Sequence, residues 1–326
     1  MNNKNIDIPK NKSFVLIGTG DLAKYSLKEA KKYFKSVYLV SNSEWGESIF
    51  DLAKGLEVEY IDTENYQEAV DFIKLNNPNI ALTCGLKWIL KSDILNHFNG
   101  LIFNYHPANL PEYRGGGVFS WPILNGEETV CVSIHQIEID VDAGGILLQN
   151  KRKLNKKPIP KDFFLISAEL AKNTVVDFFE LMVNQSEVSL QSQDQNKSLY
   201  FPLLQSNVNG AIDWGWHIEE IESFIRAFSY PYPGAFTYYK NKRINILEAE
   251  VYSKRQFHSF CAGLIIGATD KDLVRVACRN GELSINKIEI DGVNCSPKEI
   301  FREGERLYTE EKIIYRAKTF RPSNKD

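Results

Sequence analysis

The stretch Lys12–Val40, K-S-F-V-L-I-G-T-G-D-L-A-K-Y-S-L-K-E-A-K-K-Y-F-K-S-V-Y-L-V, decides the fold. Its apolar run Ser13–Ile17 reads as a compact strand. Gly-Thr-Gly turns the chain, Leu22–Phe34 reads as a helix, and Val37–Val40 reads as the next strand. The alternation continues with a helix through Ile49–Lys54, a strand at Val58–Ile61, a helix at Tyr66–Leu75 and a strand at Ile80–Cys84. Strands and helices alternating at these lengths predict parallel βαβ units. Leu101–Tyr105 and Val130–Ile139 add two strand-like runs. Between residues 163 and 184, Phe164, Ile166, Leu170, Val175, Phe178, Phe179 and Met182 recur near the 3.6-residue period of a packed helix.

The chain then changes character. Asn184–Ser198 is polar and rich in Gln and Ser, which predicts an exposed connection. Ile218, Ile221, Ile225 and Phe228 form a helical stripe expected in a core. Phe236–Tyr239 and Ile244–Leu247 flank the turn-like K-N-K. Val274–Cys278 and Leu283–Ile288 flank Asn280-Gly281, whose chemistry favours a tight hairpin. Short strands with glycine-containing turns predict a small β-barrel. The expected fold is α/β: a Rossmann-like, mostly parallel sheet with flanking helices over residues 1–190. A smaller β-rich domain with a helix and a small open barrel follows over 191–326.

Composition narrows the function. A chain of 326 residues with 43% apolar content can build two cores. A formal charge of −3 gives no global attraction to nucleic acid or to an anionic membrane. The five cysteines, Cys84, Cys131, Cys261, Cys278 and Cys295, are dispersed without a C-x-x-C pair, which reads as reduced thiols in a cytosolic protein. No run approaches 18 apolar residues, and the polar start is unlike a signal peptide. The expectation is a cytoplasmic protein with no membrane or nucleic-acid partner.

The run Gly18–Ala23 fits G-x-G-x-x-A after a strand, so a dinucleotide site must be weighed. Its confirming acid should close the second strand, which ends instead in Ser41 and Asn42. A tight strand-to-helix turn is the favoured reading; an NAD-dependent oxidoreductase is the alternative from a different class.

The chemistry concentrates further along. Asn104–Gly115 reads N-Y-H-P-A-N-L-P-E-Y-R-G, Trp121–Gly126 reads W-P-I-L-N-G, and Val141–Leu147 reads V-D-A-G-G-I-L. Residues two apart in a strand share a face, so Asn104 and His106 point together where the strand gives way to Pro107. Asp142 follows the second strand, on a loop with Gly144 and Gly145. An amide and an imidazole can donate to charge developing on a carbonyl oxygen, and a carboxylate can hold the imidazole's tautomer or take a proton. The bland alternative is a capped strand turn beside an Asx turn. Arg114 could grip a phosphate, and the glycines from Gly115 to Gly117 allow close backbone approach. These make Arg114 and Gly116 candidate substrate-binding residues, with a plain glycine turn as the alternative. Arg226 is open between a phosphate contact and a salt bridge. The basic run Lys151–Lys157 lacks interleaved aromatics and reads as a solvated loop.

With its internal spacing, this pattern closely resembles the formyltransferases that use N10-formyltetrahydrofolate. The resemblance extends through C-G-L-K-W-I-L (Cys84–Leu90), I-D-W (Ile212–Trp214), I-R-A-F (Ile225–Phe228) and Y-P-G-A-F (Tyr232–Phe236). It implies catalytic roles for Asn104, His106 and Asp142, a second domain like an open OB-type barrel, and no metal. It also implies a pterin held near Leu86, Trp88, Ile137 and Asp140. The loop G-G-V-F-S departs from the Ala-Pro pair common in the family.

The family divides by acceptor. Its methionyl-tRNA enzymes carry a basic insertion after the second strand. Here Ser41–Gly55 holds Glu44, Glu47 and Asp51 against Lys54, three acids and one base, net −2. Binding RNA relies on Lys and Arg neutralising phosphates. The resemblance therefore points to a nucleotide-linked amino sugar destined for a surface polysaccharide or lipid A. Methionyl-tRNA or another small or carrier-bound amine is the runner-up. A homodimer through the second domain is what related sugar enzymes imply.

Overall fold

The computed structural model describes residues 3–45, 48–86, 88–154, 157–269 and 273–322. Gly46 and Glu47 of the acidic segment, Lys87 of the loop after Cys84, and Asn155 and Lys156 of the basic run lie outside the described residues. The chain forms two compact units. The first comprises Met1–Gly115, Thr129–Lys153 and Leu165–Phe201; the second comprises Gly116–Glu128, Leu154–Phe164 and Pro202–Asp326.

In the first unit, five parallel strands carry the expected alternation. From the edge inward they are Glu59–Asp62, Ser36–Ser41, Ser13–Gly18, Ile80–Cys84 and Ile102–His106. Four antiparallel strands extend the sheet to nine: Thr129–Gln136, Ile146–Lys153, Glu187–Gln191 and Asn3–Asp7. Phe14, Leu16, Leu39, Leu82 and Phe103 are fully buried. The helix Pro160–Asn184 adds Val175, Phe178, Phe179 and Met182 to the same core, with Phe179 edge-on to Phe14 at 5.2 Å and Phe178 edge-on to Phe103 at 5.4 Å. Phe164 departs from the expected stripe: it is 51% exposed, and Phe163 is buried in its place.

The glycine turn has a steric cause. A Cβ on Gly18 would sit 1.9 Å from the Cys84 carbonyl oxygen, and Gly18 has φ +144°. Only glycine allows this approach, which supports the structural reading of the run. Cys84 and Cys131 are buried, and burial pushes both thiols up to about 12, so neither offers a thiolate near neutral pH.

One expectation is corrected. Asn184–Ser198 is not simply an exposed connection, because Glu187–Gln191 pairs with Asn3–Asp7 throughout. Val188 and Leu190 alternate inward and are buried, while Glu187, Ser189 and Gln191 face out. That is the period of a half-buried strand, and the polar composition masked it. Gln193, just beyond, is buried as well.

The second unit holds an antiparallel sheet ordered Ala235–Tyr239, Lys242–Ser253, Gly281–Ile290, Val274–Cys278 and Ile265–Ala268. Arg306 bridges Leu264 and Tyr308 bridges Tyr238, so one segment touches both edge strands, as in a partly closed barrel. Lys240 and Asn241 turn one hairpin, both with positive φ. The helix Ile218–Ala227 buries Ile218, Ile221 and Ile225 against this sheet, with Phe228 also buried. Arg226 is committed internally: its Nε lies 3.2 Å from Glu222 Oε1 and its Nη1 donates to the Pro158 carbonyl at 2.7 Å.

Candidate active site

Asn104 and His106 both lie on the strand Ile102–His106, next to the point where the sheet changes from parallel to antiparallel pairing. On the parallel side, Thr83 is the register partner of Asn104, and its hydroxyl donates to Asn104 Oδ1 at 2.6 Å. On the antiparallel side, His135 pairs with Asn104, and Asn104 Nδ2 lies 3.2 Å from His135 Nε2. One amide oxygen and one amide hydrogen are thus committed, which fixes the plane of the amide.

The two imidazoles are buried and polarised by backbone carbonyls. His106 Nε2 lies 2.7 Å from the Tyr113 carbonyl, and His135 Nδ1 lies 2.8 Å from the Gln136 carbonyl. A carbonyl only accepts, so each of these nitrogens carries the proton. The opposite nitrogens face Asp142. His135 Nε2 stands 3.3 Å from Oδ1, and His106 Nδ1 stands 3.7 Å from Oδ2. Asp142 has φ +51°, and its Oδ2 also accepts the Gly115 N–H at 2.9 Å.

These contacts set the charge states. Burial works to raise the Asp142 pKa, but His135, His106 and the Gly115 N–H outweigh it and hold the carboxyl at about 2. Asp142 is therefore a carboxylate at neutral pH. His106 moves the other way: burial lowers its pKa, although Asp142 and the Tyr113 carbonyl oppose the shift. A neutral His106 presents its Nδ1 lone pair toward the carboxylate side.

The other predicted residues divide. Leu86, Trp88 and Ile137 are half-buried and pack against one buried cluster that includes Leu90, Ile94, Phe98 and Ile102, and Trp88 meets Tyr66 edge-on at 5.9 Å. Asp140 is exposed outside that cluster, and its carbonyl accepts the Ala143 N–H. Arg114 is buried, with Nε and Nη2 donating to Gln193 Oε1 at 3.0 and 2.7 Å and Nη1 to Gln195 Oε1 at 3.4 Å. Its fork is turned to the protein's own amides. Gly116 abuts Leu203, where a Cβ would come within 2.8 Å of backbone.

The sequence reading missed His135, Thr83 and Gln193. His135 could have been found by pairing the two predicted strands antiparallel, which sets it opposite Asn104. Among the described residues, no group of three or more His, Cys, Asp or Glu side chains is arranged to hold a metal ion. No helix among them is long and apolar enough to cross a membrane.

Residues 28–158 match the formyl transferase family model, and residues 206–304 match the model of the formyl transferase C-terminal domain. The chain belongs to the formyltransferase family and is an enzyme of that class. It is 24% identical to the methionyl-tRNA formyltransferase of Ruminiclostridium cellulolyticum over 81% of this chain and 83% of that protein. It is 27% identical to the bifunctional polymyxin resistance protein ArnA of Wigglesworthia glossinidia brevipalpis over 82% of this chain and 39% of that protein. Its fold is similar to that of the N-formyltransferase from Helicobacter canadensis, solved with folinic acid and dTDP-3-aminofucose. That match has TM-score 0.65 and 19% identity, covering 84% of this chain and 98% of the other.

Proposed function

We propose that this enzyme moves a formyl group from N10-formyltetrahydrofolate to the amine of a nucleotide-linked amino sugar. The carrying observation is the convergence of Asn104, His106, His135 and Asp142 at one strand junction. The loop chemistry suits a flat pterin. Leu86, Trp88 and Ile137 are half-buried, and Ile139 and Val141 leave apolar surface open at 78% and 46% exposure. A ring with apolar faces would cover such surface favourably. When bound, the folate supplies an activated formyl carbon on N10.

The residues then act as follows. The second N–H of Asn104 donates to the formyl oxygen as negative charge develops there. The His106 Nδ1 lone pair takes the proton that the acceptor amine loses as its nitrogen bonds to the formyl carbon. Asp142, already ionised, balances the resulting imidazolium. The same Nδ1 proton passes to N10 as the N10–formyl bond breaks, so one proton leaves the amine and one arrives on tetrahydrofolate.

Two observations favour a sugar acceptor: the acidic Ser41–Gly55 segment and the likeness to a fold solved with a nucleotide sugar. The similarity to a methionyl-tRNA enzyme favours tRNA as the second reading. The test is to incubate the purified protein and N10-formyltetrahydrofolate with dTDP-, UDP- and GDP-amino sugars and, separately, charged methionyl-tRNA. Tetrahydrofolate release and acceptor mass are recorded. One formyl group gained by a nucleotide sugar supports the proposal, and formylation of tRNA alone replaces it with the second reading.

A further inference from the structure

We infer that Gln193 and Arg114 form a positioning pair that holds the loop carrying Asp142 in its reactive geometry. The inference rests on the formyl-transfer reading and deepens it. Gln193 sits in the polar stretch after the strand Glu187–Gln191 and is only 8% exposed. Its amide is used on both sides. Oε1 accepts twice from the Arg114 guanidinium, at 3.0 and 2.7 Å. Nε2 donates to the carbonyls of Asp142 and Gly144, at 2.8 and 2.7 Å. A buried amide with both acceptor positions and both hydrogens committed has one orientation.

The same short segment also reaches the Asp142 carboxylate. Arg114 and Gly115 pair in parallel with Tyr200 and Phe201, and the Gly115 N–H donates to Asp142 Oδ2 at 2.9 Å. The Asp142 carbonyl is therefore tied to Gln193, which Arg114 holds, and its carboxylate is tied to Gly115, the residue after Arg114. The tie has work to perform, because Asp142 stands in the left-handed region at φ +51°. That conformation is uncommon outside glycine, although Asp tolerates it better than most residues. Gly144 is pressed close as well, since a Cβ there would fall 2.0 Å from the Gln136 carbonyl oxygen. Without Gln193, two loop carbonyls lose their donor, and the Gly115 N–H is left to hold the carboxylate at 3.3 and 3.7 Å from His135 and His106 against a loosened backbone.

The test uses the full chain with Gln193→Ala, Gln193→Glu and each combined with Asp142→Asn. Gln193→Ala is expected to lower kcat roughly 10- to 100-fold, the scale of a misplacement near 1 Å, with a smaller change in KM. Gln193→Glu keeps an ion pair with Arg114 but offers no N–H to the loop. It is expected to lose kcat as well, with thermal unfolding recorded alongside so that a loss of fold is told apart from a loss of positioning. In the Asp142→Asn background, Gln193→Ala should cost less than about threefold, because the group it positions is gone. Full additivity there, or wild-type kcat in Gln193→Glu, overturns the inference. A proton NMR titration of the His106 ring supplies a readout independent of transfer. Loosening Asp142 removes a charge that raises the His106 pKa, so its midpoint should fall in Gln193→Ala. An unchanged midpoint overturns the pair. If the wild-type protein formylates no acceptor, the formyl-transfer reading fails and the titration still decides the positioning role.

Discussion

Nε2 of His135 lies 3.3 Å from Oδ1 of Asp142, and the same nitrogen lies 3.2 Å from the amide of Asn104. One ring therefore touches both the residue expected to stabilise charge on the formyl oxygen and the residue expected to balance the proton. A neutral His135 accepts from Asn104; a protonated one donates to Asp142. The ring can answer to either without moving.

Replacing Asp142 by Asn should preserve the fold, because an amide oxygen can still accept the Gly115 N–H. Formyl transfer should fall about a hundredfold or more, the scale for loss of acid–base or charge support. The check is tetrahydrofolate release under saturating donor. Turnover within a few-fold of wild type would remove Asp142 from the mechanism.

His106 should titrate below its ordinary 6.5, since burial outweighs the pull of Asp142. As a base it must be neutral, so its contribution is present above that lowered pKa and lost as pH falls through it. Ring-proton NMR gives the midpoint, with His106→Gln identifying the signal. A midpoint above 6.5 contradicts the assigned base role.

The low pKa of Asp142 has a stability counterpart. Its folded value of about 2 lies below the ordinary 3.8, so the contribution is full above pH 4 and lost as pH falls toward 2. Over that window wild type should lose on the order of 2 kcal/mol that Asp142→Asn does not lose. Urea unfolding at pH 5 and near pH 2.5 compares them.

Gly18→Ala should destabilise the protein by roughly 1–3 kcal/mol, through a strained φ and a clash with the Cys84 carbonyl. If the glycine serves packing, this variant loses urea stability and the wild type shows no saturable NADH fluorescence change. Micromolar NADH binding would revive the oxidoreductase reading.

Much of the parallel half of the sheet was legible because its strands are continuous apolar runs. Asn104, His106 and Asp142 were legible because the motif spacing is unusual. What stayed hidden depends on pairing across the chain. His135 gains meaning only opposite Asn104, and Gln193 only against Arg114, 79 positions earlier. The sequence leaves Arg114 open between a phosphate contact and a plain turn, because a guanidinium's partner cannot be inferred from its neighbours in sequence. The strand Glu187–Gln191 hides within the polar stretch Asn184–Ser198 because its two buried side chains, Val188 and Leu190, are a weak signal amid polar ones.

The pairing of Asn3–Asp7 with Glu187–Gln191 bears on how the protein should be handled in the laboratory. Only one residue separates that second strand from Gln193, so the start of the chain helps anchor the support of Asp142. Losing Asn3–Asp7 would move the sheet edge to Glu187–Gln191 and slacken, from behind, the loop that carries Asp142. Expression designs should leave this segment whole and place fusions ahead of it.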